Sequence, residues 1–189
     1  MLEFFLMNLE DHSSYHAETV KLLDGRLVLL RPIRPEDAPL LQEGFLRLSA
    51  QSIYLRFLKT AVALSDNQAR QLANVDYVEQ MALVGSVIEE GTEHLVAVAR
   101  YGTINGDEPG LAEAAIVVRD DYQGAGLGKI LMKRLLQYGR QHGVRKLLAT
   151  VHSSNARILR FITKSGLPFE KKMLEPGVWE YRIWLESSG

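Results

Sequence analysis

The sequence predicts an α/β domain whose mixed β-sheet has about six or seven strands and carries helices on both faces. The first observation is an apolar, strand-like run at residues 113–118 that ends in a glycine-rich turn. The second is an amphipathic helix that opens directly from this turn. Its apolar face is formed by Leu127, Ile130, Leu131, Leu135 and Tyr138. The third is an apolar run at residues 147–151, which completes a strand–helix–strand unit.

The remaining elements follow from turn signals and from hydrophobic periodicity. Further strands are predicted at residues 26–31, 80–89 and 95–101, and two more within residues 168–186. Helices are predicted to begin at Pro35 and to cover residues 49–57, 66–73 and 155–165. A β-meander followed by a strand–helix–strand unit makes the sheet mixed, with the glycine-rich turn at its centre.

Composition indicates one ordinary globular domain. The chain has 189 residues, 47% of them apolar, and we expect an N-terminal extension at residues 1–19 before a domain at residues 20–189. The sequence contains no apolar run of about 18 residues, so no membrane association is expected. It contains no cysteine, which excludes disulfides and a Cys nucleophile and fits a cytoplasmic protein. No set of His, Asp and Glu residues has metal-ligand spacing, so no metal is expected.

Charge is distributed unevenly along the chain. Residues 119–172 contain 12 Lys or Arg and 3 Asp or Glu, whereas the remainder contains 10 and 20. A basic half beside a glycine-rich turn is typical of a site for a polyanionic cofactor, and an acidic half suits a cationic acceptor. Solvated helix faces would explain many of these charges equally well. Nucleic acid is not expected, because no basic run is interleaved with aromatic residues.

The glycine-rich turn predicts a phosphate site. Backbone N–H groups at a helix start lack intrahelical partners, and the helix dipole adds partial positive charge there. A P-loop is excluded because Ile130, and not Ser or Thr, follows Lys129. A dinucleotide fingerprint is excluded because Lys129 stands where its third glycine should be. An ordinary strand-to-helix turn remains the alternative.

The remaining pattern is Q/R-x-x-G-x-G/A after a strand, which Gln123, Gly126 and Gly128 satisfy. In this pattern the chain resembles the GNAT superfamily of acyl-CoA-dependent N-acyltransferases. The resemblance implies acetyl-CoA as the cosubstrate and a splay between the central parallel strands, at residues 113–118 and 147–151. It implies cofactor contacts from the second half of the first strand, from the turn and from one asparagine. These residues are Ile116, Val117, Val118, Gln123, Gly124, Ala125, Gly126, Leu127, Gly128, Lys129 and Asn155.

A closer resemblance is to the catalytic domain of bacterial Pat-type protein lysine acetyltransferases. It rests on D-G-R at residues 24–26, L-R-P-I-R-P-E-D at 30–37, L-S at 48–49 and Y-L-R-F at 54–57. It implies direct attack of a protein lysine on the thioester, with Glu113 as the general base that accepts the amine proton. We expect Glu113 to lie among apolar neighbours, since alanine and isoleucine surround it in sequence.

Two features limit what the resemblance implies. Many GNAT enzymes carry a tyrosine general acid seven residues after the asparagine, but here that residue is Ile162, so no general acid is assigned. In this family the acceptor pocket is built from variable segments, here residues 36–73 and the C-terminal strands, so the motifs do not identify the acceptor. A small amine is therefore the alternative to a protein lysine. A non-catalytic acyl-CoA sensor and a nucleotide binder of another fold are further alternatives. The apolar N-terminal segment suggests a homodimer in which it covers another protomer.

Overall fold

The structure, a computed structural model, describes residues 15–60, 63–106 and 108–185. These residues form eight strands and five α-helices. The strands are β1 (Glu18–Lys21), β2 (Leu27–Pro32), β3 (Gln80–Glu89), β4 (Thr92–Thr103), β5 (Leu111–Val118), β6 (Lys146–His152), β7 (Phe169–Glu175) and β8 (Val178–Trp184). The helices are α1 (Ala38–Leu46), α2 (Ala50–Phe57), α3 (Asp66–Ala73), α4 (Leu127–Gln141) and α5 (Ala156–Lys164).

All eight strands belong to one mixed sheet in the order β1-β2-β3-β4-β5-β6-β8-β7. Neighbouring strands are antiparallel except for β5 and β6, which are parallel. Helix α4 makes the connection between these two strands, as the strand–helix–strand pattern predicts. The glycine-rich turn therefore lies at the centre of the sheet.

Helices cover both faces of the sheet. On one face, Leu131, Leu135 and Tyr138 of α4 pack on Leu83 and Tyr101 in the larger core cluster. Complete burial of leucine side chains such as these contributes about 1.5–3 kcal/mol each. On the other face, helices α1 and α3 pack on β3 in a second cluster. The two faces thus present different environments to the central strands.

The parallel strands separate after three residues. Leu111, Ala112 and Glu113 of β5 pair with residues 146–148 of β6. Beyond Glu113 the pairing ends in the described residues, although β5 continues beside β4 and β6 continues beside β8. This fork between β5 and β6 is the predicted splay, and it leaves one edge of each strand without a strand partner.

The first strand and the start of the first helix differ from expectation. Strand β1 was not predicted, and it begins at Glu18, inside the segment expected to be an extension. Arg134 of α4 holds this edge strand by donating to both Glu18 oxygens, at 2.6 and 3.0 Å. Residues 1–14 of the expected extension lie outside the described residues. The helix expected at Pro35 begins there as a single 3₁₀ turn and becomes α-helical at Ala38.

Candidate active site

The glycine-rich turn leaves helix α4 without a side-chain cap. Gly124 and Gly126 have φ angles of 82° and 90°, in the left-handed region that glycine adopts without a Cβ penalty. Gly126 is the N-cap of α4, and no side chain accepts a bond from the first turn of the helix among the described residues. Amides in the first turn of a helix have no intrahelical acceptor, so this uncapped end suits a phosphate group.

Contacts from distant parts of the chain fix this turn. The Leu23 amide donates to the carbonyl of Ala125 at 3.0 Å. The Arg26 guanidinium donates to the carbonyl of Asp121 at 2.9 Å and lies 3.8 Å above the Tyr122 ring. The turn is therefore held in one conformation before any ligand binds.

Aspartates and serines tie the turn to helix α2. Asp120 accepts from the backbone amide and hydroxyl of Ser49, at 2.9 and 2.7 Å, and from the Ser52 hydroxyl at 2.8 Å. Burial raises the pKa of Asp120, but the bonds from Ser49 and Ser52 outweigh this effect, so its pKa lies below the usual value. Gln123 donates to the Val118 carbonyl at 2.8 Å and to Ser52 at 3.0 Å. Gln123, which was predicted to contact the cofactor, therefore uses its side-chain N–H donors for hydrogen bonds within the protein.

Arg119 is buried beside the same turn and is fully paired. Its guanidinium donates to Asp121 at 2.8 Å and to Glu89 at 2.5 Å. The bond to Asp121 raises the pKa of Arg119, burial opposes this effect, and the bond to Glu89 adds to it. This network therefore engages the carboxylates of both Glu89 and Asp121.

Two adjoining cavities connect the turn with the fork. A cavity of about 300 Å³ lies against the turn and is lined by Gly124, Gly126, Gly128, Lys129 and Arg157, among others. A second cavity of about 400 Å³ lies in the fork. The two share walls, including Ile116, Met132, Asn155 and Phe161, so they form one continuous channel. Its size and its two ends suit a long ligand with a polyanionic end.

The predicted cofactor residues divide into two groups along this channel. The channel walls include Ile116, Val117, Val118, Gln123, Gly124, Gly126, Gly128, Lys129 and Asn155. Ala125 and Leu127 instead turn their side chains into the core, where 7% and 1% of their surfaces remain exposed. These two residues could contact a ligand only through their backbone amides.

The alternating direction of backbone amides along β5 determines which of them face the fork. The Arg119 amide donates to the Val96 carbonyl at 2.8 Å, which continues the β4–β5 ladder past Val118. Because backbone groups alternate along a strand, the Val117 amide also points toward β4. The amides of Ile116 and Val118 therefore point into the fork, where they could bond a ligand that lies along β5.

Asn155 has a structural role as well as a place in the channel. It is the N-cap of α5, and its side-chain oxygen accepts from the Ile158 amide at 3.3 Å. No acceptor in the described part of the chain is bonded to its side-chain nitrogen. That donor is available to a ligand in the channel.

Glu113 lies where the fork opens. It is the last residue of β5 that pairs with β6, and it lines the fork cavity. Its side chain is exposed at the rim, so the apolar enclosure expected from its neighbours is not observed. His152 and His94 lie outside the fork cavity: His152 bonds Ser154 at 2.7 Å, and His94 lies 3.2 Å from Glu43.

Cationic side chains that the sequence did not single out surround the fork. Arg56, from the last turn of α2, lines both parts of the channel, and Lys59 lines the fork cavity. Burial and the charge of Arg100 lower the pKa of Arg56 to about 10, while the charge of Glu113 acts in the opposite direction. Arg56 belongs to the Y-L-R-F segment that carries the Pat-type resemblance, which is the one signal that pointed to it.

Ile162 cannot supply a proton at the position of the usual tyrosine. Its side chain is 3% exposed and packs in the larger core cluster. The Ser165 hydroxyl nearby donates to the Ile162 carbonyl at 2.7 Å.

The sequence profile of the acetyltransferase (GNAT) family matches residues 51–167, which include the turn, the fork and Asn155. The chain belongs to the GNAT acetyltransferase family. An acetyltransferase of Pseudomonas aeruginosa is 36% identical over 132 residues, which are 70% of each protein. The acetyltransferase Pat of Mycolicibacterium smegmatis is 30% identical over 150 residues, 78% of this chain but only 43% of that longer relative.

The structural comparison confirms the predicted fold. The GNAT domain of S. lividans PAT superimposes with a TM-score of 0.78 at 25% identity, covering 89% of this chain and 96% of that domain. The chain is thus an N-acetyltransferase of the GNAT family, and the family implies acetyl-CoA as its cosubstrate.

Two further features concern the residues that the structure describes. No helix in those residues has the length and apolarity that a membrane crossing requires. Within the same residues, no three His, Asp or Glu side chains come together in a way that could hold a metal ion.

Proposed function

We propose that this GNAT protein transfers an acetyl group from acetyl-CoA to a protein lysine, with Glu113 as the general base. The position of Glu113 carries the proposal, because its carboxylate lines the cavity at the point where β5 and β6 separate. Similarity to the Pat acetyltransferase and to the PAT domain supports lysine as the acceptor.

The channel suggests how acetyl-CoA would lie. Its pyrophosphate would accept bonds from the amides of residues 124–129, with Lys129 and Arg157 adding positive charge. Its pantetheine arm would run along β5, bonded to the amides of Ile116 and Val118. The Asn155 side-chain nitrogen would donate to the same arm. This arrangement brings the thioester toward the fork and toward Glu113.

The chemistry requires one proton acceptor and no covalent enzyme intermediate. A lysine amine has a pKa of about 10.4, so it arrives as ammonium, and Glu113 accepts its proton directly or through water. The free amine attacks the thioester carbonyl carbon, and a β5 amide stabilises the resulting oxyanion by about 3 kcal/mol. The C–S bond then breaks, the proton that the amide nitrogen loses passes directly or through water to the departing thiolate, which leaves as the thiol, and Glu113 returns its proton to solvent.

The proposal is tested by measuring binding and transfer separately. Thermal shift with acetyl-CoA, CoA, ATP and NAD should show stabilisation by the two CoA compounds alone. Incubation with acetyl-CoA and a bacterial lysate should release free thiol, and mass spectrometry should then find acetylated lysines that are absent from a reaction without the protein. Stabilisation by ATP or NAD instead of acetyl-CoA would refute the cosubstrate assignment, and thiol release without lysine acetylation would refute the acceptor assignment.

A further inference from the structure

Two half-buried arginines, Arg56 and Arg100, lack the carboxylate partner that the fully buried arginines have. Arg31 donates to Asp37 at 2.7 Å, and Arg119 is paired with Glu89 and Asp121. Neither Arg56 nor Arg100 has a carboxylate within ion-pair distance in the described part of the chain. Arg100 makes one long bond to the Leu72 carbonyl, at 3.4 Å, and Arg56 lies 4.8 Å from the centre of the Phe57 ring. Most of their ten N–H donors are therefore unused.

Both arginines lie on the same side of the fork as Glu113. Arg100 on β4 is opposite Ala115, and Gly102 is opposite Glu113, so Arg100 and Glu113 are diagonal neighbours on one face of the sheet. Arg56 reaches this face from α2, and both arginines line one apolar cavity of about 70 Å³. Arg56 lines this cavity with Arg100 and the fork cavity with Glu113, so it lies between the other two charged groups at this location.

A cleft extends from this location away from the cofactor channel. It has a volume of about 530 Å³ and is lined by Lys59, Thr60, Gln68, Gln71 and Arg100, with apolar residues of α1 and α3. These helices cover the sheet face opposite to α4, whose N-terminus lies at the glycine-rich turn. The cleft therefore lies on the sheet face that α4 does not cover, and its charged residues are positive.

The electrostatics of the arginine pair favour an anionic ligand. Burial lowers the pKa of Arg100, and burial together with Arg100 lowers that of Arg56, but both remain cationic at neutral pH. Two neighbouring cations without an anion are unfavourable in a partly buried site. A carboxylate matches the guanidinium fork and would relieve their repulsion. Glu113 is near enough to act on Arg56 through its charge, but it lies beyond ion-pair distance.

We propose that Arg56 and Arg100 bind a carboxylate of the acceptor, which places the neighbouring acceptor amine at Glu113. This inference rests on the proposed acetyl transfer and narrows its acceptor to amines that carry a carboxylate close by. The source is either an acidic side chain flanking the target lysine in a protein or the α-carboxylate of a free amino acid. An amine acceptor that carries no carboxylate does not suit these two residues.

Matched pairs of acceptors test the inference and separate the two sources. One arm compares lysine peptides flanked by Glu with the same peptides flanked by Gln, and the other compares free amino acids with their amides. We expect kcat/KM to be about 10- to 100-fold higher for the carboxylate member of one arm, as for a hydrogen-bonded charged group. Equal values for both members in both arms would overturn the inference while leaving acetyl transfer intact.

Variants then connect the preference to the two arginines. R56Q and R100Q should each lower the ratio of kcat/KM between the carboxylate and amide members about tenfold, and R56K should retain part of it. The KM for acetyl-CoA should not change in R100Q, because Arg100 does not line the proposed acetyl-CoA channel. R70Q is the matched control, because Arg70 is exposed on α3 and lines none of these cavities. A ratio that is unchanged in R56Q and R100Q would overturn the assignment.

A binding measurement keeps this test independent of turnover. Calorimetry should detect N-acetyl amino acids or acetylated Glu-flanked peptides binding to the CoA-loaded protein, with weaker binding of their amide or Gln counterparts. R56Q should remove the difference. Absence of transfer to every acceptor would refute the proposed function, whereas absence of any difference in binding would refute this inference.

Discussion

The two sides of the fork hold their polar groups in different ways. On the cofactor side, the turn is fixed by bonds from Leu23 and Arg26, and the carboxylate of Asp120 is saturated by hydroxyl and amide donors. On the acceptor side, Glu113 is exposed, and Arg56 has no anionic partner in the described residues. The comparison indicates that the proposed cofactor site is preformed, whereas the proposed acceptor site would be completed by its ligand.

The largest effect is expected from removing the base on the acceptor side. E113Q should lower kcat/KM about 10²- to 10⁴-fold, because an amide cannot accept the ammonium proton. The dissociation constant of acetyl-CoA should remain unchanged, since the preformed side is untouched. Steady-state kinetics and calorimetry measure the two quantities, and E170Q on the exposed strand β7 is the matched control. Full turnover in E113Q would assign the base elsewhere.

The pH dependence of kcat/KM tests the proposed acceptor side of the fork without a mutation. Because the lysine amine has a pKa of about 10.4, the free amine fraction rises about tenfold per pH unit in the neutral range. We expect kcat/KM to rise with pH where deprotonation limits the reaction. Initial rates from pH 6 to 9, with unfolding monitored in parallel, measure this slope. A flat profile would mean that a step other than amine deprotonation limits the rate.

The cofactor side should respond through binding. G126D puts a carboxylate at the start of α4, where the proposed pyrophosphate lies, and forces a residue with a side chain to φ 90°. The affinity for acetyl-CoA should fall at least about tenfold, or 1.4 kcal/mol. G91D is the matched control, because Gly91 also has a positive φ of 80° and has no neighbouring atom within 4 Å of an added Cβ. Equal affinity in G126D and the wild type would remove the turn from the cofactor site.

The difference between the two sides of the fork also explains which features could be predicted from the sequence. The turn is readable because left-handed backbone at Gly124 and Gly126 requires glycine, and the helix that follows has a clear apolar period. Strand β1 was missed because it has only four residues of mixed character, and its fixed position depends on Arg134, which lies 116 residues away. Arg56 was missed as a site residue because helix α2 is positioned beside the fork by Asp120, a contact across 71 residues. Local patterns therefore predicted the glycine-rich turn and helix α4, whereas tertiary contacts bring Arg56 to the fork.

The smallest expected effect concerns Asp120, whose hydrogen bonds connect the glycine-rich turn to helix α2. D120N removes the charge that accepts three bonds from Ser49 and Ser52, so it should lower the free energy of unfolding by about 1 kcal/mol, after allowance for solvent screening. The folded pKa of Asp120 is depressed, so its stabilising contribution is present above its unfolded pKa of about 3.9 and is lost as the pH falls through the folded value. Urea unfolding at pH 7 and pH 3 measures both effects. The difference between the wild type and D120N should shrink at the lower pH, and a difference that grows would contradict the depressed pKa. If Asp120 alone holds helix α2, and with it Arg56, beside the fork, D120N should also weaken the preference for carboxylate acceptors. The glycine-rich turn should still bind acetyl-CoA.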